Sequence, residues 1–368
     1  MVFVTLFPNL ENVHLIKDVG MIPYVMYKDY GYDAYVAGYG GADYSYFKTD
    51  VIGLKWLELK RRCNSNLING ILFLIKYARK IDVLNLYHYQ VTSFVWTVTY
   101  KMLNPKGKVF LKLDINTESG KKMTMKKGSV KWLLTKYVLG LCKIVSCESV
   151  EFQSYTKGLW PIRLTHLTNG VLKKDICPEQ SKEKIIMTVG RLGTKEKATE
   201  RLIEAFENAI KDISNDWKLY LVGSMTDNFK EYLTEKIQNN EGLKSRTVVA
   251  GEINDRKKLA ELYRKCVIFS MPSVHEGFSL ATIEALAKGC YLLLSDLQSF
   301  REISMNEKYG RLFEKDDMDS FTNAMIQTCQ KYEREGSLIN YRELQEDMQK
   351  YSSWESICEK LDAEIKHG

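Results

Sequence analysis

Residues 267 to 296 read VIFSMPSVHEGFSLATIEALAKGCYLLLSD. An apolar run at 267–271 predicts a strand, and Pro272 and Ser273 end it. His275, Glu276, Gly277, Phe278 and Ser279 form a turn ahead of an amphipathic helix, and a second apolar run at 290–294 predicts the next strand. Strand, turn, helix and strand in that order make the parallel crossover unit of a doubly wound sheet. The start of such a helix leaves backbone N–H groups without partners, and its dipole adds partial positive charge, so a phosphate is favoured there. Gly277 lets the backbone approach a ligand closely.

Two carboxylates flank this turn, Glu276 before the helix and Glu284 within it. Beside a phosphate a carboxylate is repelled, so both should face neutral, hydroxyl-bearing parts of a ligand such as a sugar ring or a ribose. Glutamates at this spacing are common on solvated helices, where the first complements the dipole. Here the turn, helix and following strand around them form one pattern. EGFSLATIE resembles the E-x7-E motif of retaining GT-B glycosyltransferases of the family 4 type, the group 1 glycosyl transferases. The resemblance implies an α/β GT-B fold, with two Rossmann-like, doubly wound parallel-sheet domains facing a central cleft. It also implies that Glu276 holds donor-sugar hydroxyls, that Glu284 holds the ribose, and that the N–H groups of Ser279 and Leu280 hold the distal phosphate beside Gly277 and Phe278.

Upstream, GRLGTKEKAT at 190–199 follows a predicted strand and opens a helix. Fixed cations beside a glycine-bearing turn suit a diphosphate whose charge grows as it leaves. The stretch resembles the GR…K segment of the same enzymes, with Arg191 and Lys197 matching its pyrophosphate-binding cations and Lys195 a rival for the lysine role. Gly251, Glu252 and Ile253 resemble the segment whose backbone contacts the nucleotide base. His88, at the end of a predicted strand, resembles the first-domain histidine near the donor sugar; a structural histidine is the alternative. Glu148 and Thr168-Asn169-Gly170-Val171 resemble segments near the family's domain linker and read as architectural. One departure concerns the paired glycines that the family places after its first strand: this chain has Pro8-Asn9-Leu10-Glu11-Asn12 there. Gly20, or Gly40 with Gly41, is the candidate replacement.

A chain of 368 residues exceeds the usual limit of one core. Strands are predicted at 2–7, 33–38, 82–86, 108–114 and 143–147, with a short last one ending at 166–170. Helices are predicted at 9–27 and 92–103, and a core helix at 67–78. Polar, proline-broken CPEQSKE at 177–183 marks a boundary, after which strands at 185–189, 217–222 and 247–250 alternate with helices at 199–212 and 255–265. The expected domains are residues 1–177, binding the acceptor, and 178–350, binding the donor. A helix at 351–368 is expected to cross back to the first.

Charge is uneven: residues 1–180 carry 25 Lys and Arg against 14 Asp and Glu, whereas the remainder is slightly acidic. Seven lysines between Glu118 and Glu148 meet no acid and interleave with Met123, Met125, Trp132, Leu133, Leu134 and Tyr137. Such a stretch, Lys121 to Lys143, suits an anionic membrane surface, with a solvated helix face as the alternative. No nucleic-acid motif accompanies it, so no nucleic-acid partner is expected. Eight scattered cysteines, no signal pattern and no membrane-spanning run predict a cytoplasmic protein, free or peripheral on the inner face of the membrane. The expected activity is metal-independent, retaining transfer of a sugar from a nucleotide-sugar donor, a UDP-sugar favoured, to a glycan or lipid-linked acceptor in surface polysaccharide assembly. No cofactor is expected. A sugar-nucleotide epimerase and a catalytically silent partner subunit are the alternatives.

Overall fold

The computed structural model describes all residues except 42, 116–119, 121–124, 179–180 and 368. The chain forms two α/β units, Met1–Asn169 with Ser353–Gly368, and Gly170–Ser352. The second unit therefore starts ahead of the polar 177–183 stretch, in which residues 179 and 180 lie outside the described residues.

The first unit holds β1 (Val2–Leu6), β2 (Asp33–Tyr39), β3 (Lys55–Leu59), β4 (Val83–Tyr87), β5 (Lys108–Leu113), β6 (Ile144–Cys147) and β7 (Thr165–His166). They pair in the order β3-β2-β1-β4-β5-β6-β7, all parallel. Strands β1, β4 and β5 are buried on both faces and mostly apolar, as a sheet covered by helices on both sides requires, with Thr5, Asn85 and Lys112 as buried polar exceptions. The second unit holds β8 (Glu183–Val189), β9 (Lys218–Val222), β10 (Thr247–Gly251), β11 (Cys266–Met271), β12 (Tyr291–Ser295) and β13 (Gly310–Phe313), in the order β10-β9-β8-β11-β12-β13, again all parallel. Both are doubly wound sheets with a switch of direction, between β1 and β4 in one and between β8 and β11 in the other. Ligands of such sheets bind beyond the carboxyl ends of the strands at that switch.

In the second unit, β13 and the helices Asp227–Gln238, Met318–Glu335 and Tyr341–Tyr351 were not anticipated, and elements of the first unit also differ from the sequence expectation. The segment at 9–27 is not one helix: a 3-10 turn, Asn12–Ile16, precedes the helix Asp18–Tyr30. The junction is tight, because a Cβ on Gly20 would sit 2.1 Å from the carbonyl oxygen of Leu15. Gly20→Ala should therefore cost about 1–3 kcal/mol of stability. An unchanged denaturation midpoint would show that the junction relaxes freely. Edge strand β3 was not anticipated, and helix Asn66–Tyr77 is only half core, with Ile68, Leu72 and Ile75 exposed.

Candidate functional site

At the switch of the second sheet, the segments following β8 and β11 meet. Val274 N–H donates to the Glu196 carbonyl at 2.8 Å, which joins the two loops through the backbone. Lys197 arches over Gly190, and its Nζ lies 2.5 Å from Glu276 Oε2 and 3.6 Å from Met271 Sδ. Both members of this ion pair are about four-fifths covered, so the surroundings screen their attraction less than water would. Ser273 Oγ, 3.5 Å from the same carboxylate oxygen, and Ser299 Oγ, 3.1 Å from the Glu276 carbonyl, flank it.

Local sequence sets this geometry. Gly223 has φ 131°, and a Cβ there would overlap the Gly190 carbonyl oxygen at 1.8 Å, so β8 and β9 end in close contact only because residue 223 is a glycine. Ala198, at φ 45°, turns the chain into helix Thr199–Ala209, whose Thr199 Oγ1 accepts from Gly193 N–H at 3.3 Å. Arg191 is exposed on the same loop, as is Lys195.

After β11, Ser279 is buried and caps helix Leu280–Ala287 by accepting from Thr282 N–H at 3.3 Å. Ile283 N–H is bonded to the Ser279 carbonyl, so the Leu280 and Ala281 N–H groups precede the first helical bond. Phe278, Leu280 and Ile253 pack their side chains against the sheet core, which leaves their backbone as the part available to a ligand. Space is open where Gly277 would carry a Cβ. Glu252 is exposed just beyond Gly251, which has φ 67°.

Glu284 is part-buried on this helix and faces Arg256, the first residue of helix Arg256–Lys265, with Nη2 to Oε1 at 3.5 Å. Burial raises the Glu284 carboxyl pKa, and Arg256 opposes the shift. Arg256 had no signal in the local sequence, because the contact spans 28 positions.

The first unit has its own cluster at its switch point. His88 stands just past β4 at φ 67°, a left-handed conformation uncommon for a residue with a side chain. Its N–H donates to the Lys112 carbonyl at 2.9 Å and its Nδ1 is 4.0 Å from Asp114 Oδ2. Lys112, near the end of β5, is fully buried, and its ammonium contacts Glu148, Asp18 at 2.8 Å and Asn169 Oδ1 at 2.9 Å. Asn169 Nδ2 in turn donates to Glu148 at 3.0 Å. Burial works against the Lys112 charge, but Asp18 and Glu148 outweigh it and raise its pKa. Lys112 was not anticipated, although a lysine inside the otherwise apolar run VFLKL is a sequence signal that could have found it. Gly20 lies in the first turn of the helix that Asp18 opens, buried against Leu15, while Gly40 and Gly41 are exposed after β2. Of the seven lysines in the basic stretch, Lys121 and Lys122 lie outside the described residues.

Residues 183–331 match the family model described as Glycosyl transferases group 1. The chain is 33% identical over 140 residues to the Campylobacter jejuni N-acetylgalactosamine-N,N'-diacetylbacillosaminyl-diphospho-undecaprenol 4-alpha-N-acetylgalactosaminyltransferase, covering 38% of this chain and 35% of that protein. It is 27% identical over 221 residues to the Escherichia coli UDP-Gal:alpha-D-GlcNAc-diphosphoundecaprenol alpha-1,3-galactosyltransferase, covering 53% of each. The chain spans about half or less of the length of the curated relatives it matches. Among solved structures, Anabaena HepE in complex with UDP-glucose superposes with a TM-score of 0.71 at 14% identity, covering 98% of both chains. The fold is therefore GT-B, with two parallel-sheet α/β domains, and the group 1 glycosyltransferase match lies in the second.

Proposed function

We propose that this chain is a retaining, metal-independent glycosyltransferase that takes a sugar from a nucleotide-sugar donor and passes it to a glycan or lipid-linked acceptor in surface polysaccharide assembly. The observation that carries the reading is the Lys197–Glu276 pair, set at the switch of the second sheet beside a capped helix start. The relatives' names support the finer parts: two act on diphospho-undecaprenol-linked glycans, one from UDP-Gal, and HepE binds UDP-glucose.

In this reading Arg191 and Lys197 neutralise the diphosphate as its charge grows, with the N–H groups of Ser279 and Leu280 on the distal phosphate. Glu276 holds hydroxyls of the donor sugar and also keeps Lys197 in place before the donor arrives. Glu284 takes the ribose, braced by Arg256. The backbone around Glu252 and Ile253 meets the base. The departing phosphate accepts the acceptor's proton on the same face, so no protein nucleophile is required. The lysine-rich stretch of the first unit suits an acceptor presented at an anionic lipid surface.

Thermal unfolding in the presence of UDP, GDP, ADP and their common sugar conjugates, with and without a chelator, tests this. One nucleotide should raise the transition selectively, and the rise should survive chelation; at a hundredfold excess over its dissociation constant the gain is about 2.7 kcal/mol. No rise with any of them would overturn the donor site.

A further inference from the structure

Helices Asn66–Tyr77, Val91–Leu103 and Val130–Gly140 lie side by side in one layer on the first sheet. The first two are close-packed: Trp96 Nε1 donates to the Leu67 carbonyl at 3.0 Å, and a Cβ on Gly70 would strike the Trp96 ring. The outer face of such a layer is ordinarily polar and carries charges of both signs. Here the outer face is apolar. Ile68, Leu72 and Ile75 make a stripe at helical spacing on the first helix, and Val91 and Met102 stand at the two ends of the second, both about three-quarters exposed. On the third, Val130, Leu133, Leu134 and Tyr137 make another stripe, each more than half exposed. These nine are the majority of the seventeen strongly exposed large apolar side chains among the described residues, and only Val249 and Tyr351 of the remainder lie in the second unit.

Charge on this layer has one sign. None of the three helices contains Asp or Glu, and from Leu59 to Cys147 the chain has 17 Lys and Arg against three acids. Lys76, Lys126, Lys127, Lys131 and Lys136 are exposed around the stripes, and Lys136 lies over the Trp132 ring at 5.4 Å. No described helix is long and apolar enough to cross a membrane. We propose that this three-helix face is a docking surface for an anionic lipid bilayer, its aliphatic stripes entering the acyl boundary while the lysines meet the headgroups. Charge decides the occupant: a protein partner is recognised by mixed or matched charges, whereas lysines around aliphatic side chains on helices that carry no acid complement an anionic surface over an apolar interior. The inference deepens the reading of an acceptor presented at an anionic lipid surface, and it rests on this face alone, independently of the donor site.

The test is co-sedimentation of the full chain with vesicles of phosphatidylcholine alone or mixed equally with phosphatidylglycerol. Binding to the mixed vesicles, weak binding to the neutral ones, and weakening by salt are expected. Leu133→Ser with Leu134→Ser, and separately Leu72→Ser with Ile75→Ser, should each lower the partition coefficient roughly tenfold or more, and Lys126→Gln with Lys127→Gln and Lys131→Gln should do likewise. Val249→Ser is the control and should change nothing. These side chains are exposed, so the variants keep the parent's melting temperature and its nucleotide-induced rise. Equal binding to neutral vesicles, unaltered binding by the Leu72/Ile75 pair, capture of heparin without capture of vesicles, or a dimer in gel filtration that the serine variants dissolve would each overturn the proposal. A failed nucleotide response with normal vesicle binding would instead overturn the donor site and leave this surface intact.

Discussion

Lys112→Met is expected to destabilise the first unit by about 3–5 kcal/mol, because it strands the carboxylates of Asp18 and Glu148 without their shared cation. The methionine fills most of the lysine's volume, so the loss reports charge more than cavity. Denaturant unfolding followed by tryptophan emission suits the measurement, since five of the six tryptophans lie in the first unit and only Trp217 in the second. Adding Glu148→Gln to Lys112→Met should recover part of the loss by removing one unpaired charge. An unchanged midpoint in the single variant would mean that the carboxylates find water or another cation, or that Glu148 takes up a proton.

The same cluster gives stability a pH dependence. Burial, with Asp18 adding to it and Lys112 opposing, lifts the Glu148 carboxyl from an ordinary value of 4.5 to about 7. A carboxyl whose pKa is higher folded than unfolded favours the fold while protonated. Its contribution is thus complete below about 4.5 and is lost as pH rises through about 7. Glu148→Gln should flatten the pH dependence of unfolding across that interval.

Lys197→Ala and Arg191→Ala should each reduce transfer by roughly 10- to 150-fold, the range for losing one charged hydrogen bond of about 1.5–3 kcal/mol to a leaving diphosphate. The two should differ in one respect. Lys197 is paired with Glu276, so its loss also frees a carboxylate beside the phosphate, whereas exposed Arg191 forms no salt bridge among the described residues and only attracts exposed Glu196 at longer range. Lys197→Ala is therefore expected to be the worse variant, and Lys197→Ala with Glu276→Gln to bind nucleoside diphosphate better than Lys197→Ala alone. Near-normal turnover in both single variants would remove the phosphate assignment.

Much of the fold was legible because buried parallel strands are continuous apolar runs: VFVTL, VLNLY, CVIFSM and YLLLS declare themselves. Strand β3, KWLEL, did not, since an edge strand with alternating charge has the composition of a loop or a helix end. The break before Asp18 was hidden as well, because the reason for it, the Leu15 carbonyl against Gly20, is a contact rather than a composition. At the site, local motifs indicated Glu276, Lys197 and the helix start. Their pairing across 79 positions, and that of Arg256 with Glu284, depends on which strands become neighbours. No local spacing encodes that.

Helix Trp354–His367 belongs to the first unit: Tyr32 donates to Asp362 at 2.8 Å, Lys108 to the Ile365 carbonyl at 2.7 Å, and Tyr30 to the Glu355 carbonyl at 3.3 Å. These bonds join residues separated by more than 250 positions. During synthesis, the N-terminal half must therefore wait, with one helix site on its first layer uncovered, until all of residues 170–352 have been translated. The second unit is continuous in sequence and has no such delay. Order of birth and order of completion are thus reversed: the half made first is finished last, and a nascent chain stalled before residue 354 exposes the apolar seat of that helix to chaperones.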